Sequence, residues 1–141
     1  MRRLAASTAV LLLTLTAPLM AQKPAAPIHS FLFGSWVGGM FPPPVTLSTQ
    51  ECLAQPMVIF TRDSVMRALM TSPAYEQRMI DTVRATPGGF EVHLFPAQTP
   101  AQGGFGCPNP DVLRVQRRGD NEITFPGCAD FPFPLIRCGS H

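Results

Sequence analysis

Lysine is almost missing: of the 11 basic residues all but Lys23 are arginine, and histidine occurs only at 29, 93 and 141. Cationic surface is scarce too. Arg2 and Arg3 belong to the leader described below, and its removal leaves nine cations against nine carboxylates. A near-neutral chain without a basic face argues against a nucleic-acid partner. There is no Cys-x-x-Cys pair, no His-Glu-x-x-His and no glycine loop of the phosphate-cradling kind, so no metal or cofactor is expected. No apolar run reaches the roughly 20 residues that a spanning helix needs. No internal repeat of the length that builds solenoids or propellers is visible.

What is present begins with a targeting pattern. Arg2 and Arg3 precede an apolar run from Ala9 to Leu15, and Ala21 offers a small residue for cleavage. Residues 1–21 read as a secretory signal peptide, which predicts a periplasmic or secreted protein with no membrane span in the mature chain. Residues 22–30, with Pro24 and Pro27, read as a flexible leader, and residues 31–141 as one β-rich domain. Cys52, Cys107, Cys128 and Cys138 all lie in the exported part. Four cysteines in an oxidising compartment predict two disulfides, with three possible connectivities.

The chain then reads as short, turn-bounded strands. Phe31 to Pro44 holds the single tryptophan, Trp36, in an alternating aromatic stretch that the three prolines Pro42–Pro44 must end. Pro42–Pro44 also fits the type of segment that binds aromatic grooves, beside its plainer role as a strand terminator. Val45 to Gln55 reads as an irregular connection. Met57 to Thr61 is an apolar, β-branched run ending in an Arg62-Asp63-Ser64 turn. Residues 64–85 fit two periods. As strands they alternate; as helices at 64–71 and 73–85 they place Val65, Met66, Leu69 and Met70 at helical spacing after an Asp63 cap. The β-rich, turn-bounded neighbours on both sides favour strands. Phe90, Val92 and Leu94 share one face beyond a Pro87-Gly88 turn, Pro96 to Pro110 is a long Gly/Pro loop, and Pro132 to Cys138 is a short terminal strand whose prolines suit an edge or closure position.

The clearest hairpin runs from Val112 through a turn at Arg118–Asn121 to Phe125. Antiparallel pairing about that turn brings Cys128 near Cys107 and leaves Cys52 to pair with Cys138; Cys52–Cys107 with Cys128–Cys138 is the competing arrangement. The expected fold is mostly β, an antiparallel meander closing into a small barrel or sandwich with two disulfides, the alternative being α+β with the two helices.

With both ends in view, Gly34-Ser35-Trp36 resembles the Gly-x-Trp of the lipocalins and their calycin relatives. That resemblance implies an up-and-down barrel, Trp36 closing its bottom, Arg137 packing over the indole, and an interior that holds one small ligand. A Cys52–Cys138 bond is similar to the family's tether of its C-terminal segment. With the adaptable thioethers of Met57, Met66, Met70 and Met79, Trp36 and Arg137 make up the expected ligand-binding set. The function expected first is a non-enzymatic exported protein binding a small apolar ligand. The second is a protein-interaction module such as a protease inhibitor, acting through residues 22–30 as an inserted arm. No catalytic residue is assigned. His93 beside Glu91 is the only base candidate, and it reads as a solvated face. Arg62, Arg67, Arg78 and Arg84 read as part of a mixed-charge outer surface, and Arg118-Gly119-Asp120 as turn chemistry.

Overall fold

A computed structural model describes residues 25–71, 73–98 and 104–139. The signal peptide expected at 1–21 lies outside them. Eight strands run in chain order: β1 (Gly34–Gly38), β2 (Val58–Phe60), β3 (Ser64–Ala68), β4 (Tyr75–Thr86), β5 (Gly89–Leu94), β6 (Val112–Arg117), β7 (Glu122–Thr124) and β8 (Leu135–Arg137). Each pairs antiparallel with the next, and β8 returns to β1 through Trp36↔Arg137 and Gly38↔Leu135, so the meander closes into a barrel without a sheet edge at the seam. Ser64–Ala68 and Tyr75–Thr86 are therefore strands, not helices. The disulfides are Cys52–Cys138 and Cys107–Cys128.

The β1 segment is shorter than its aromatic alternation predicts. Ser30–Leu32 forms a turn of 3₁₀ helix, and the strand begins only at Gly34, whose φ of 116° favours glycine. The backbone leaves β1 through Gly38 and Gly39 before the prolines are reached; a side chain on Gly39 would meet Phe131 at 2.5 Å. Val45–Gln55 is not wholly irregular. Its second half is a short helix, α1 (Thr49–Ala54), opened by a capping box in which Ser48 accepts from the Glu51 amide while Glu51 accepts from the Ser48 amide. The packed chain also starts before Phe31: His29, assigned to the leader, is 6% exposed and donates from Nε2 to the Arg62 carbonyl at 2.9 Å.

Ladder register decides which side chains enter the barrel. Val58 and Phe60 are core residues, so their partners Arg67 and Val65 share the inner face, as does Arg78 opposite Val65. Trp36, Leu113, Ile123 and Leu135 complete a fully buried interior. Phe125 lies at its centre among Phe60, Phe105 and Phe131, at ring separations of 6.2, 5.7 and 5.4 Å.

Phe105 is contributed by the long loop, not by a strand. Two inward arginines hold that loop against the barrel. Arg78 donates to the carbonyls of Phe95 and Pro110 and pairs with Asp111 at 2.6 Å. Arg67 donates to the Gly104 carbonyl and pairs with Asp130 at 2.8 Å. Arg78 is 4% exposed, so its charge is viable only because carbonyls and a carboxylate meet it there. Arg67 and Arg78 thus do not belong to the outer surface; only Arg62 and Arg84 of that group are exposed.

Candidate functional site

The residues singled out by the sequence fall into three places. Trp36 and Arg137 are together. Trp36 is fully buried and donates from Nε1 to the Leu32 carbonyl at 2.9 Å. The Arg137 guanidinium lies 4.4 Å over the indole and 5.0 Å over Phe31, and donates to the carbonyls of Phe33 and Phe31. Arg117 covers Phe31 at 4.0 Å. Burial, and then the nearby charge of Arg117, pull the Arg137 guanidinium below its ordinary value. The pair is a structural closure made by core packing.

Met57 and Met70 are together in a second place, a cleft of about 490 Å³. Its walls come from Phe41 before α1, Ala54 and Gln55 at the end of α1, Pro56 and Met57 leading into β2, Ala68 at the end of β3, Leu69, Met70, Pro73 and Ala74 between β3 and β4, and Tyr75 at the start of β4. Backbone bonds set the walls: Ala68 donates to the Met57 carbonyl and Leu69 to the Ala74 carbonyl. The Tyr75 hydroxyl donates to the Pro56 carbonyl at 2.7 Å and straps β4 to the segment before β2. Burial pushes the Tyr75 phenol above its ordinary value, which keeps it neutral. Among the described residues lining the cleft no carboxylate, amine or guanidinium occurs. Phe41, Met70 and Tyr75 are 55%, 60% and 38% exposed, an open apolar surface among the described residues.

Met66 and Met79 are elsewhere. Val65 and Arg67 take the inner face of β3 and Arg78 that of β4, so alternation turns Met66 and Met79 outward, Met66 beside Ile59 and Met79 beside Ser64. Met79 is 47% exposed. The four methionines therefore do not form one pocket. The barrel interior, where the resemblance places a ligand, is occupied at these positions by the chain's own aromatic side chains.

The remaining candidates form small ion clusters. His93 donates to Glu91 at 2.8 Å and Arg114 approaches the same carboxylate at 3.4 Å. The bond from His93, with a smaller part from Arg114, holds the Glu91 carboxyl below its ordinary value despite partial desolvation. Asp120 of the Arg-Gly-Asp turn is paired with Arg117 at 2.5 Å. Neither arrangement places a nucleophile beside a base. Of the arm at 22–30, Pro27 to Ser30 forms a turn against the domain, Ser30 donating to the Pro27 carbonyl at 2.9 Å; residues 22–24 lie outside the described part. Among the described residues no cluster of His, Cys, Asp and Glu suits a metal ion, and no helix is long and apolar enough to cross a membrane.

Comparison with protein-family models, with curated proteins and with solved structures finds no match for this chain.

Proposed function

We propose that the protein is an exported, non-enzymatic binding protein that takes a small, neutral, apolar ligand in the cleft between α1 and the β3–β4 connection. The observation that carries this reading is the lining of that cleft, about 490 Å³ of aliphatic, thioether and aromatic surface without an ionised side chain. Its volume is in the range of small-molecule sites, and its few polar groups fix orientation without charge. A carboxylate ligand would find no counter-ion there, so fatty acids are poor candidates and neutral apolar molecules good ones. Export rests on the pattern of residues 1–21 and on the pairing of all four cysteines in disulfides. The Gly34-Ser35-Trp36 signature with Arg137 over the indole supports a lipocalin-like ancestry.

Native mass spectrometry of gently purified protein tests for a retained ligand. Titration with N-phenyl-1-naphthylamine, a neutral fluorescent probe, measures the site. Met70 is mostly exposed, so Met70→Glu leaves the fold intact; it is expected to weaken the probe at least tenfold, whereas unchanged binding overturns the assignment.

A further inference from the structure

Along the wall of the cleft between α1 and the β3–β4 connection, much of the hydrogen-bond donor capacity is missing or already engaged. Pro56 and Pro73 bring no N–H to it. Three further amides of the wall are held inside the fold: Met57 donates to the Trp36 carbonyl and Ala68 to the Met57 carbonyl, each at 2.8 Å, and Leu69 to the Ala74 carbonyl at 3.1 Å. Among the described lining residues the one hydroxyl is that of Tyr75, and it is engaged as well. The Pro56 carbonyl, 2.7 Å away, can only accept, so the phenol donates to it.

Acceptors remain. A phenol whose O–H is committed still offers the lone pairs of its oxygen. Pro56 and Tyr75 both line the cleft, so the bond between them anchors that oxygen at the wall. The thioethers of Met57 and Met70 add weak acceptors and no donor. Gln55, the C-cap residue of α1, is exposed and carries both roles in one amide, so it sets no preference of its own.

We infer that the cleft selects an apolar alcohol, whose hydroxyl donates to the Tyr75 oxygen, an assignment that rests on the cleft being the ligand site proposed above. Ketones, ethers and esters bring only acceptors to a wall that already offers acceptors. An alkylammonium brings donors, but no carboxylate among the described lining residues balances its charge. This preference runs against what apolar contact alone would give. The methyl ether of an alcohol is more apolar than the alcohol and buries one more methyl group, so a cleft governed by burial alone holds the ether more tightly. A cleft with an anchored acceptor holds the alcohol, because the ether leaves two acceptors facing each other unpaired.

The test is displacement of bound N-phenyl-1-naphthylamine from the full exported chain by decanol and by its methyl ether. The alcohol is expected to act at concentrations at least fivefold lower than the ether, and Tyr75→Phe to bring that ratio to one or below. The ratio is the readout because loss of the strap to Pro56 would by itself weaken both competitors together. Equal or better displacement by the ether from the parent chain overturns the inference and leaves the cleft as a site; displacement by neither overturns both. An unchanged ratio in Tyr75→Phe overturns the assignment to the tyrosine. Should that variant lose its strand circular dichroism, Gln55→Leu carries the assignment: the alcohol preference is expected to persist, and its loss overturns Tyr75 as the acceptor.

Discussion

Replacing Cys52 and Cys138 together by serine removes a link across 86 residues, whereas replacing Cys107 and Cys128 removes one across 21. If a disulfide acts by restricting the unfolded chain, the first loss is about 4.6 kcal/mol and the second about 3.3. The difference, roughly 1.3 kcal/mol, is the sharper quantity. Each pair has one sulfur at a position 4% exposed, at Cys52 and Cys128, so the cost of burying a serine hydroxyl is similar in both and largely cancels. Neither variant removes a strand, since β8 is paired with β1 and β7 by backbone bonds. Urea titration followed by Trp36 emission measures both variants against the parent chain. The long-link variant should unfold at the lower urea concentration, and both should show steeper transitions as the unfolded chain expands. A shorter link that cost as much as the longer one, or more, would refute the loop-entropy argument and put the contribution of Cys107–Cys128 in the packing of Phe105.

Three further outcomes follow from the same contacts. Arg137→Lys keeps the charge but loses the planar stacking over Trp36 and the paired donation to the Phe33 and Phe31 carbonyls; a loss of about 2 kcal/mol and a red shift of the tryptophan emission are expected in thermal melts. Gly106→Ala forces a side chain into the left-handed region at φ 67°, with its Cβ 2.5 Å from the Asp130 amide, and should cost at least ~1 kcal/mol by urea denaturation. Glu91 has a carboxyl depressed below its ordinary value of 4.5, so its contribution is complete above that value and is lost as pH falls through the lower folded value. Stability of the parent minus that of Glu91→Gln, measured from pH 6 to pH 3, should therefore shrink on the acid side; a difference independent of pH would contradict the pairing with His93 and Arg114.

Much of the barrel is legible in the chain because turns and alternation are local. The β6–β7 hairpin and the Pro87-Gly88 turn between β4 and β5 follow from a few adjacent residues, and the hairpin favours Cys107–Cys128 without excluding the competing arrangement. The hairpin register is observed one residue later than its turn suggests, at Arg117↔Ile123. The helix α1, which the sequence reading placed inside an irregular connection, was legible in principle, since Ser48-Thr49-Gln50-Glu51 carries a capping-box pattern. Two features were not. Alternation says that Met66 and Arg67 face opposite ways but not which one faces in; only the ladder with Val58 and Phe60 decides that, and it sends the methionine out and the arginine in. The insertion of Phe105 depends on Arg67, Asp130 and Cys128, which are distant in sequence, and the Gly/Pro composition of its loop gives no sign of it. The candidate cleft was half visible, in Met57 and Met70. Phe41, Leu69 and Tyr75 complete it through the placement of α1 and the strap from Tyr75 to Pro56.

The cleft is the centre of the functional account, and its neutrality is the most exposed part of that claim. Competition against bound N-phenyl-1-naphthylamine by a long-chain alcohol and by the fatty acid of equal length, at neutral pH, measures it in one experiment. The account predicts that the alcohol displaces the probe at concentrations at least tenfold lower than the carboxylate; equal or better displacement by the carboxylate would contradict it.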